Sequence, residues 1–139
     1  MILVLDTKQL RLALATVSRA VPKRSILPIL SHVLVTSSDD SATLTCTDLN
    51  TYIVRRIPAE VVAPGSASFN ARDLLTIADD FAGSLTLDAT GLIATENFTS
   101  VLPVLPAEEF PKVAPLFEGP PLVTYSGEAF ADTLAQVLA

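Results

Sequence analysis

Leu5-Asp-Thr-Lys-Gln-Leu10 is a six-residue stretch whose chemical pattern returns twice, as Phe69-Asn-Ala-Arg-Asp-Leu74 and Tyr125-Ser-Gly-Glu-Ala-Phe130. Each copy reads apolar residue, residue with a capping side chain, small residue, charged residue, any residue, apolar residue. Asp, Asn and Ser in the second position are the side chains that cap helix N-termini. These capping residues lie 64 and 56 positions apart, so the pattern predicts a strand-to-helix junction repeated about every sixty residues.

The flanking sequence completes a β-α-β-β-β unit around the first two junctions. In the first unit, Leu10, Ala13, Leu14 and Val17 recur at helical spacing, and Pro22 ends the helix. Short apolar runs bounded by turn residues predict the strands. We expect unit one to hold strands at 2–5, 29–36, 42–47 and 52–57 and a helix from Asp6 or Thr7, and unit two strands at 66–69, 84–88, 92–95 and 98–105 and a helix at 71–81.

The third junction is followed by only one predicted helix, 128–139, after a Pro- and Gly-rich link and a strand at 122–125. Its Phe130, Leu134 and Leu138 would form an apolar face without the strands that cover such a face in the first two units. The pattern therefore predicts one domain and the beginning of another.

The composition is that of a globular protein, with 139 residues, 50% hydrophobic residues and a formal net charge of −6. The single cysteine, Cys46, fits a reducing compartment. The N-terminus has neither the length nor the basic lead of a signal peptide. We expect a soluble cytoplasmic protein that has no membrane partner.

The positive charge is gathered near the N-terminus. Five of the nine cationic residues lie at or before the loop that follows the first helix, and the acid in the same span is Asp6. Such a local patch can attract a polyanion although the whole molecule is acidic. These five residues are Lys8, Arg11, Arg19, Lys23 and Arg24.

Four short motifs on this doubled frame carry a family resemblance. They are Leu27-Pro-Ile-Leu30, Leu44-Thr-Cys-Thr-Asp-Leu49, Asn70-Ala-Arg72 and Leu105-Pro-Ala-Glu-Glu-Phe-Pro111. With them the chain resembles the bacterial DNA polymerase III beta subunit family, the replicative sliding clamps. The resemblance implies an α+β DNA clamp fold, with two β-α-β-β-β units per domain and helices on one face of antiparallel sheet. It divides the chain into an N-terminal clamp domain at 1–118, a linker at 119–121 and a truncated second domain at 122–139.

In that family, two three-domain subunits close head to tail into a ring around duplex DNA, and the ring confers processivity without catalysing a reaction. The resemblance implies that double-stranded DNA is bound irrespective of sequence. The polymerase and the clamp loader would bind through domains absent from this chain. Arg24, with Lys23 beside it, matches the loop arginine that meets the DNA backbone. Further DNA-binding candidates on or beside the first two helices are Lys8, Arg11, Arg19 and Arg72, for which an ordinary solvated helix face is the alternative interpretation.

The resemblance also implies a subunit interface on the strand 98–105. Val101, Leu102 and Val104 would form an apolar edge that pairs with the neighbouring subunit. Pro103 interrupts this edge and removes one hydrogen-bond donor. An ordinary edge strand, protected from aggregation by its proline, is the alternative interpretation.

Two departures from the family pattern weaken the expected attraction for DNA. The second helix carries Asp73, Asp79 and Asp80 where the family tends to be basic or neutral, and 95–100 lacks the arginines that relatives often have there. We expect either a sparser DNA-facing surface or a reduced DNA role.

The sequence offers no constellation for catalysis, metal binding or a cofactor. One histidine, His32, and one cysteine cannot make a zinc site. Asp48 is expected to cap a turn, and Cys46 to be a small core residue. One alternative is a stand-alone short clamp relative that binds or inhibits a full clamp; a more remote one is an unrelated β-rich enzyme or ligand-binding domain.

Overall fold

The computed structural model describes residues 1–24, 27–112, 124 and 126–138. The predicted linker at 119–121, the domain boundary at 118 and all but Thr124 of the predicted strand 122–125 lie outside the described residues. The elements within them are β1 (Ile2–Asp6), α1 (Thr7–Val17), β2 (His32–Ser38), β3 (Ser41–Thr47), β4 (Tyr52–Pro58), β5 (Glu60–Ala63), β6 (Ser66–Asn70), α2 (Ala71–Asp80), β7 (Ser84–Asp88), β8 (Leu92–Ala94), β9 (Thr99–Val101), β10 (Val104–Leu105) and α3 (Gly127–Leu138).

The predicted caps begin all three helices. The Asp6 carboxylate accepts the Gln9 N–H at 3.1 Å, and the Asn70 side-chain oxygen accepts the Asp73 N–H at 3.1 Å. The Ser126 hydroxyl oxygen accepts the Ala129 N–H, also at 3.1 Å. Each bond satisfies one of the N–H groups that a helix leaves without a partner at its start.

The ten strands form two antiparallel sheets of five strands each, ordered β5-β1-β7-β8-β9 and β10-β6-β2-β3-β4. The two units exchange their first strands. Strand β1 pairs with β7 of the second unit, with Leu5 opposite Leu85, and β6 pairs with β2 of the first unit, with Phe69 opposite Val33. Neither unit can therefore complete its sheet alone, and the two form one domain.

The last strand of each unit bends and crosses to the other sheet. After β4, which ends at Pro58, the chain passes Ala59 and continues as β5, which pairs with β1. After β9, it passes Leu102 and Pro103 and continues as β10, which pairs with β6. The prediction of one strand over 98–105 was therefore wrong, and β5 was not predicted. Pro103 lacks the N–H that a continuous ladder would need, and it lies at the bend.

One core joins both sheets to α1 and α2. Its fully buried side chains include Leu3, Leu14, Leu44, Phe69 and Leu87. Cys46 is 0% exposed, as predicted for a small core residue. Leu102, predicted at an interface, is 8% exposed and belongs to this core. Residues of α3 bury nothing against it.

The chain leaves the domain across the sheet face opposite the core. Ser68 donates its hydroxyl to the carbonyl oxygen of Leu105 at 2.9 Å, and the Ser68 hydroxyl oxygen lies 3.3 Å from Nδ1 of His32. Phe110 is 3% exposed and lines a cleft on this face together with Leu34. The segment 105–112 is thus anchored by one polar network and one buried ring. No helix in the described ranges is long and apolar enough to cross a membrane.

Candidate nucleic-acid interface

Helices α1 and α2 lie side by side and run in opposite directions. Residues at the start of α1, including Thr7 and Lys8, line one cleft with Ala78 and Asp79 at the end of α2. Residues that follow α1 line a second cleft with the start of α2. Their buried residues belong to the core, and the exposed residues of the two helices, which include Leu12, make up the surface that we call the helix face.

Four cations gather where α1 ends and α2 begins, and we call this cluster the basic end. Lys23 and Arg72 line a cleft of about 400 Å³ there, together with Ser18 and Asn70. Arg19 and Arg24 are exposed in the turn and loop that follow α1. The carboxylate that α2 contributes at this end is Asp73, which is exposed in its first turn.

The opposite end of the helix face is electrically balanced, and we call it the balanced end. Lys8 and Arg11 of α1 line one cleft with Asp79 and Asp80 of α2. Nε of Arg11 lies 3.8 Å from Oδ1 of Asp79, and the two side chains are 43% and 58% exposed. An exposed pair of this kind stabilises a fold by at most about 1 kcal/mol, but each charge reduces the field of the other.

The structure thus places the predicted DNA-binding residues on one face but divides them. Lys23 and Arg72 come together at the basic end, and Arg24 is exposed directly after Lys23. Lys8 and Arg11 lie at the balanced end, where Asp79 pairs with Arg11 and both Asp79 and Asp80 share a cleft with Lys8. A duplex approaching this face would meet net positive charge at one end only.

Arg55 is a further cation on this side that was not singled out from the sequence. Along β4 it lies on the same strand face as Ile53 and Ile57, and it is opposite the core residue Leu44 in β3. It therefore lies on the sheet face that α1 covers, yet it stays exposed at the sheet edge. The sequence signal for this position was the spacing of two residues between Ile53, Arg55 and Ile57, which places all three on one face of a strand.

The three predicted interface residues occupy different environments. Val101 is 68% exposed on β9, an edge strand of its sheet. Leu102 is buried, and Val104 is half-buried and pairs with Phe69 in the other sheet. Val101 is therefore the most exposed member of this set.

Groups with shifted pKa values do not belong to the basic end. Burial lowers the pKa of His32, and burial raises the pKa of Cys46 to about 12. The N–H groups of Thr51 and Asn50 lower the pKa of Asp48, which caps its turn as predicted. Among the residues described, no group of three or more His, Cys, Asp or Glu side chains could hold a metal ion. What the helix face offers an anion is the excess positive charge of its basic end.

Comparison with known families identifies the fold that carries this surface. The model of the DNA polymerase III beta subunit, N-terminal domain, matches residues 1–114. The chain belongs to this family. As a DNA polymerase III beta subunit domain, it has the α+β clamp fold that its sequence motifs predicted.

Individual family members agree with this assignment. The beta sliding clamp of Pseudomonas aeruginosa is 32% identical over 119 residues, which cover 81% of this chain and 32% of the relative. The Caulobacter crescentus pol III beta structure has a TM-score of 0.78 at 30% identity and covers 82% of this chain. The Pseudomonas aeruginosa DNA polymerase III subunit beta structure has a TM-score of 0.83 at 26% identity, covering 98% of this chain and 38% of that one.

This beta subunit chain spans about a third of the length of the clamps it matches.

Proposed function

We propose that this chain is the N-terminal domain of a sliding clamp that encircles duplex DNA and confers processivity on a replicative polymerase. The observation that carries the proposal is the basic end of the helix face, displayed by a domain of the beta subunit family. Its four cations stand on a chain of net charge −6, so they mark the place where a polyanion would be attracted.

The chemistry required of such a domain is attraction without bond making. Phosphate contacts from Arg and Lys give an affinity that is independent of sequence and falls as salt rises. Contacts to base edges would fix the position of the protein, whereas phosphate contacts alone let it slide along the duplex. Lys23, Arg24 and Arg72 supply charge of this kind from a surface held in place by the core.

The assembly that we propose has two subunits joined head to tail. Residues 1–118 form the N-terminal domain, 119–121 the linker, and 122–139 the first elements of a second clamp domain. The exposed edge at Val101 faces the neighbouring subunit. The polymerase and the clamp loader bind through later domains, and the protein works in the cytoplasm.

The state of α3 supports this division of the chain. Phe130, Leu134 and Leu138 are 56%, 44% and 75% exposed, although they lie on one face of the helix. In α1 and α2 the corresponding apolar faces are buried against two sheets. By analogy, α3 belongs to a domain whose sheets would cover that face.

The test is DNA binding by Arg24→Ala across a salt series, with a fluorescent duplex of mixed sequence. We expect weaker binding, and a plot of log affinity against log salt whose slope is shallower by roughly 1, because each phosphate contact contributes about 0.9 to the slope. Lys112→Ala is the matched control: it removes the same charge beside the cleft on the opposite sheet face.

The control variant should bind as the unmodified protein does. Equal binding by Arg24→Ala and the unmodified chain at every salt concentration would remove Arg24 from the interface. Absence of any salt-dependent binding to duplex DNA, by every form of the protein, would overturn the proposed function itself.

A further inference from the structure

The charges of α2 run against the order that helix stability favours. A helix is stabilised by acids near its N-terminus and by cations near its C-terminus, because of its macrodipole. Helix α2 begins with Arg72 beside Asp73 and ends with Asp79 and Asp80, and its last turn contains no basic residue. The stability of α2 therefore does not account for the carboxylates at its end.

The position of these two carboxylates relative to α1 suggests what they do. They share a cleft with Lys8 and Arg11, and Asp79 is paired with Arg11. The pair is about half exposed, so it lies on the surface that a duplex would reach rather than within the packing of the two helices. A phosphate that approaches Arg11 must compete with Asp79, and both carboxylates repel it.

We propose that Asp79 and Asp80 lower the DNA affinity of the helix face by occupying Arg11 and Lys8, so that the basic end alone holds the duplex. The inference rests on the proposed DNA binding, and it assigns to two acidic residues the role of limiting the affinity for DNA. Weak electrostatic attraction at one end keeps the protein associated with the DNA backbone and still lets the protein move along the duplex. The carboxylates are thus affinity-setting residues of the same surface.

The experiment compares Asp79→Asn/Asp80→Asn with Asp39→Asn/Asp40→Asn in binding a mixed-sequence duplex between about 50 and 200 mM salt. Both variants remove two adjacent carboxylates and change the net charge equally. Asp39 and Asp40 lie in the turn between β2 and β3, outside the helix face. The comparison therefore separates a local effect from the effect of net charge.

We expect Asp79→Asn/Asp80→Asn to bind several-fold more tightly and to steepen the salt slope by roughly 1 to 2, since one or two cations become free to contact phosphate. Adding Arg11→Gln to this variant should cancel most of the gain. The Asp39→Asn/Asp40→Asn control should change affinity less and leave the slope as it was. Thermal unfolding of each variant confirms that the comparison is made on folded protein.

Equal gains from both pairs of substitutions would show that net charge alone acts, and the inference would fall while DNA binding stands. An unchanged affinity of Asp79→Asn/Asp80→Asn, with Arg24→Ala still weakened, would also reject the inference alone. If no variant and no unmodified protein bound duplex DNA, the proposed function would fail first. A lower unfolding temperature without tighter binding would assign the ion pair to stability instead.

Discussion

Asp6 and Asn70 occupy equivalent positions in the two halves of the domain. Each is the last residue of a strand and the cap of the following helix, and each accepts an N–H three residues on at 3.1 Å. In the two sheets, Asp6 lies opposite Ser84 at the start of β7, and Asn70 lies opposite His32 at the start of β2. The capping residue of each unit thus stands where the other unit begins its second strand.

The caps should contribute equally to stability. We expect Asp6→Ala and Asn70→Ala each to lower the free energy of unfolding by about 1 kcal/mol, because each leaves a helix N–H without its side-chain acceptor. Asp6→Asn is the control, since asparagine caps as well as aspartate. Urea unfolding followed by circular dichroism measures all three, and a loss in Asp6→Asn equal to that in Asp6→Ala would contradict the capping role.

Among the glycines that the structure describes, Gly91 should tolerate substitution least. Its φ is +93°, and a Cβ there would overlap the carbonyl oxygen of Leu102 and lie 2.8 Å from Cγ2 of Val104. Gly91→Ala should therefore cost roughly 2 kcal/mol or more, from backbone strain and from displacement of the bend between β9 and β10.

Gly83→Ala is the matched control for this substitution. Gly83 has a φ of +100°, but nothing lies within 4 Å of a Cβ built on it. The difference in unfolding free energy between the two variants isolates the overlap, and similar losses would show that the bend can move aside.

His32 should make stability depend on pH below its ordinary pKa of 6.5. Burial lowers its pKa below the ordinary value of 6.5, so below that value the unfolded chain binds a proton more readily than the folded chain does. Stability is then complete above pH 6.5 and declines as the pH falls toward the folded pKa. The chain has one histidine, so His32→Gln should flatten the profile in this range. A decline that persists in His32→Gln would assign the titration to other groups.

Val101 and Leu102 are adjacent, but they should respond differently to a charge. Val101→Asp places the charge on an exposed edge and should cost at most about 1 kcal/mol, whereas Leu102→Asp buries it and should cost about 3 kcal/mol or more. In an assembled clamp, Val101→Asp should weaken subunit association, as measured by sedimentation equilibrium. Unchanged association of a folded Val101→Asp variant would move the proposed interface elsewhere.

Cys46 should be inert in the folded protein. Its side chain is fully buried, and burial raises its pKa to about 12, so both the thiolate form and access to it are suppressed. A disulfide reagent at pH 8 should leave the native thiol unmodified and label it after denaturation. A Ser38→Cys variant, with its cysteine on the surface, should react at once and serves as the positive control; rapid labelling of native Cys46 would contradict its burial.

Local sequence patterns predicted the starts of the helices correctly. The caps Asp6, Asn70 and Ser126 were readable because a helix start needs a short polar acceptor at one place. The segment 98–105 was wrongly predicted as one strand because the sequence Leu102-Pro103 fits both a continuous edge strand and a bend. What separates the two cases is the partner of Val104, which is Phe69 in the other sheet.

For the candidate surface, too, the sequence predicted one part and the tertiary structure decided the other. The identities of Lys8, Arg11, Lys23, Arg24 and Arg72 were enough to predict a cationic helix face. Their separation into a basic end and a balanced end depends on α1 and α2 running in opposite directions. Arg11 and Asp79 are far apart in the chain, so their pairing could not be inferred from either helix alone.

By itself, the sequence determined the repeated strand-to-helix junctions, the family and the types of charge on the helices, because these depend on residues close together in the chain. The tertiary structure alone decided which sheet each strand joins, that Leu102 is core while Val101 is surface, and that Asp79 faces Arg11. The physical reason is that strand pairing, burial and ion pairing are formed between residues distant in the chain, and only the packed domain brings those residues together.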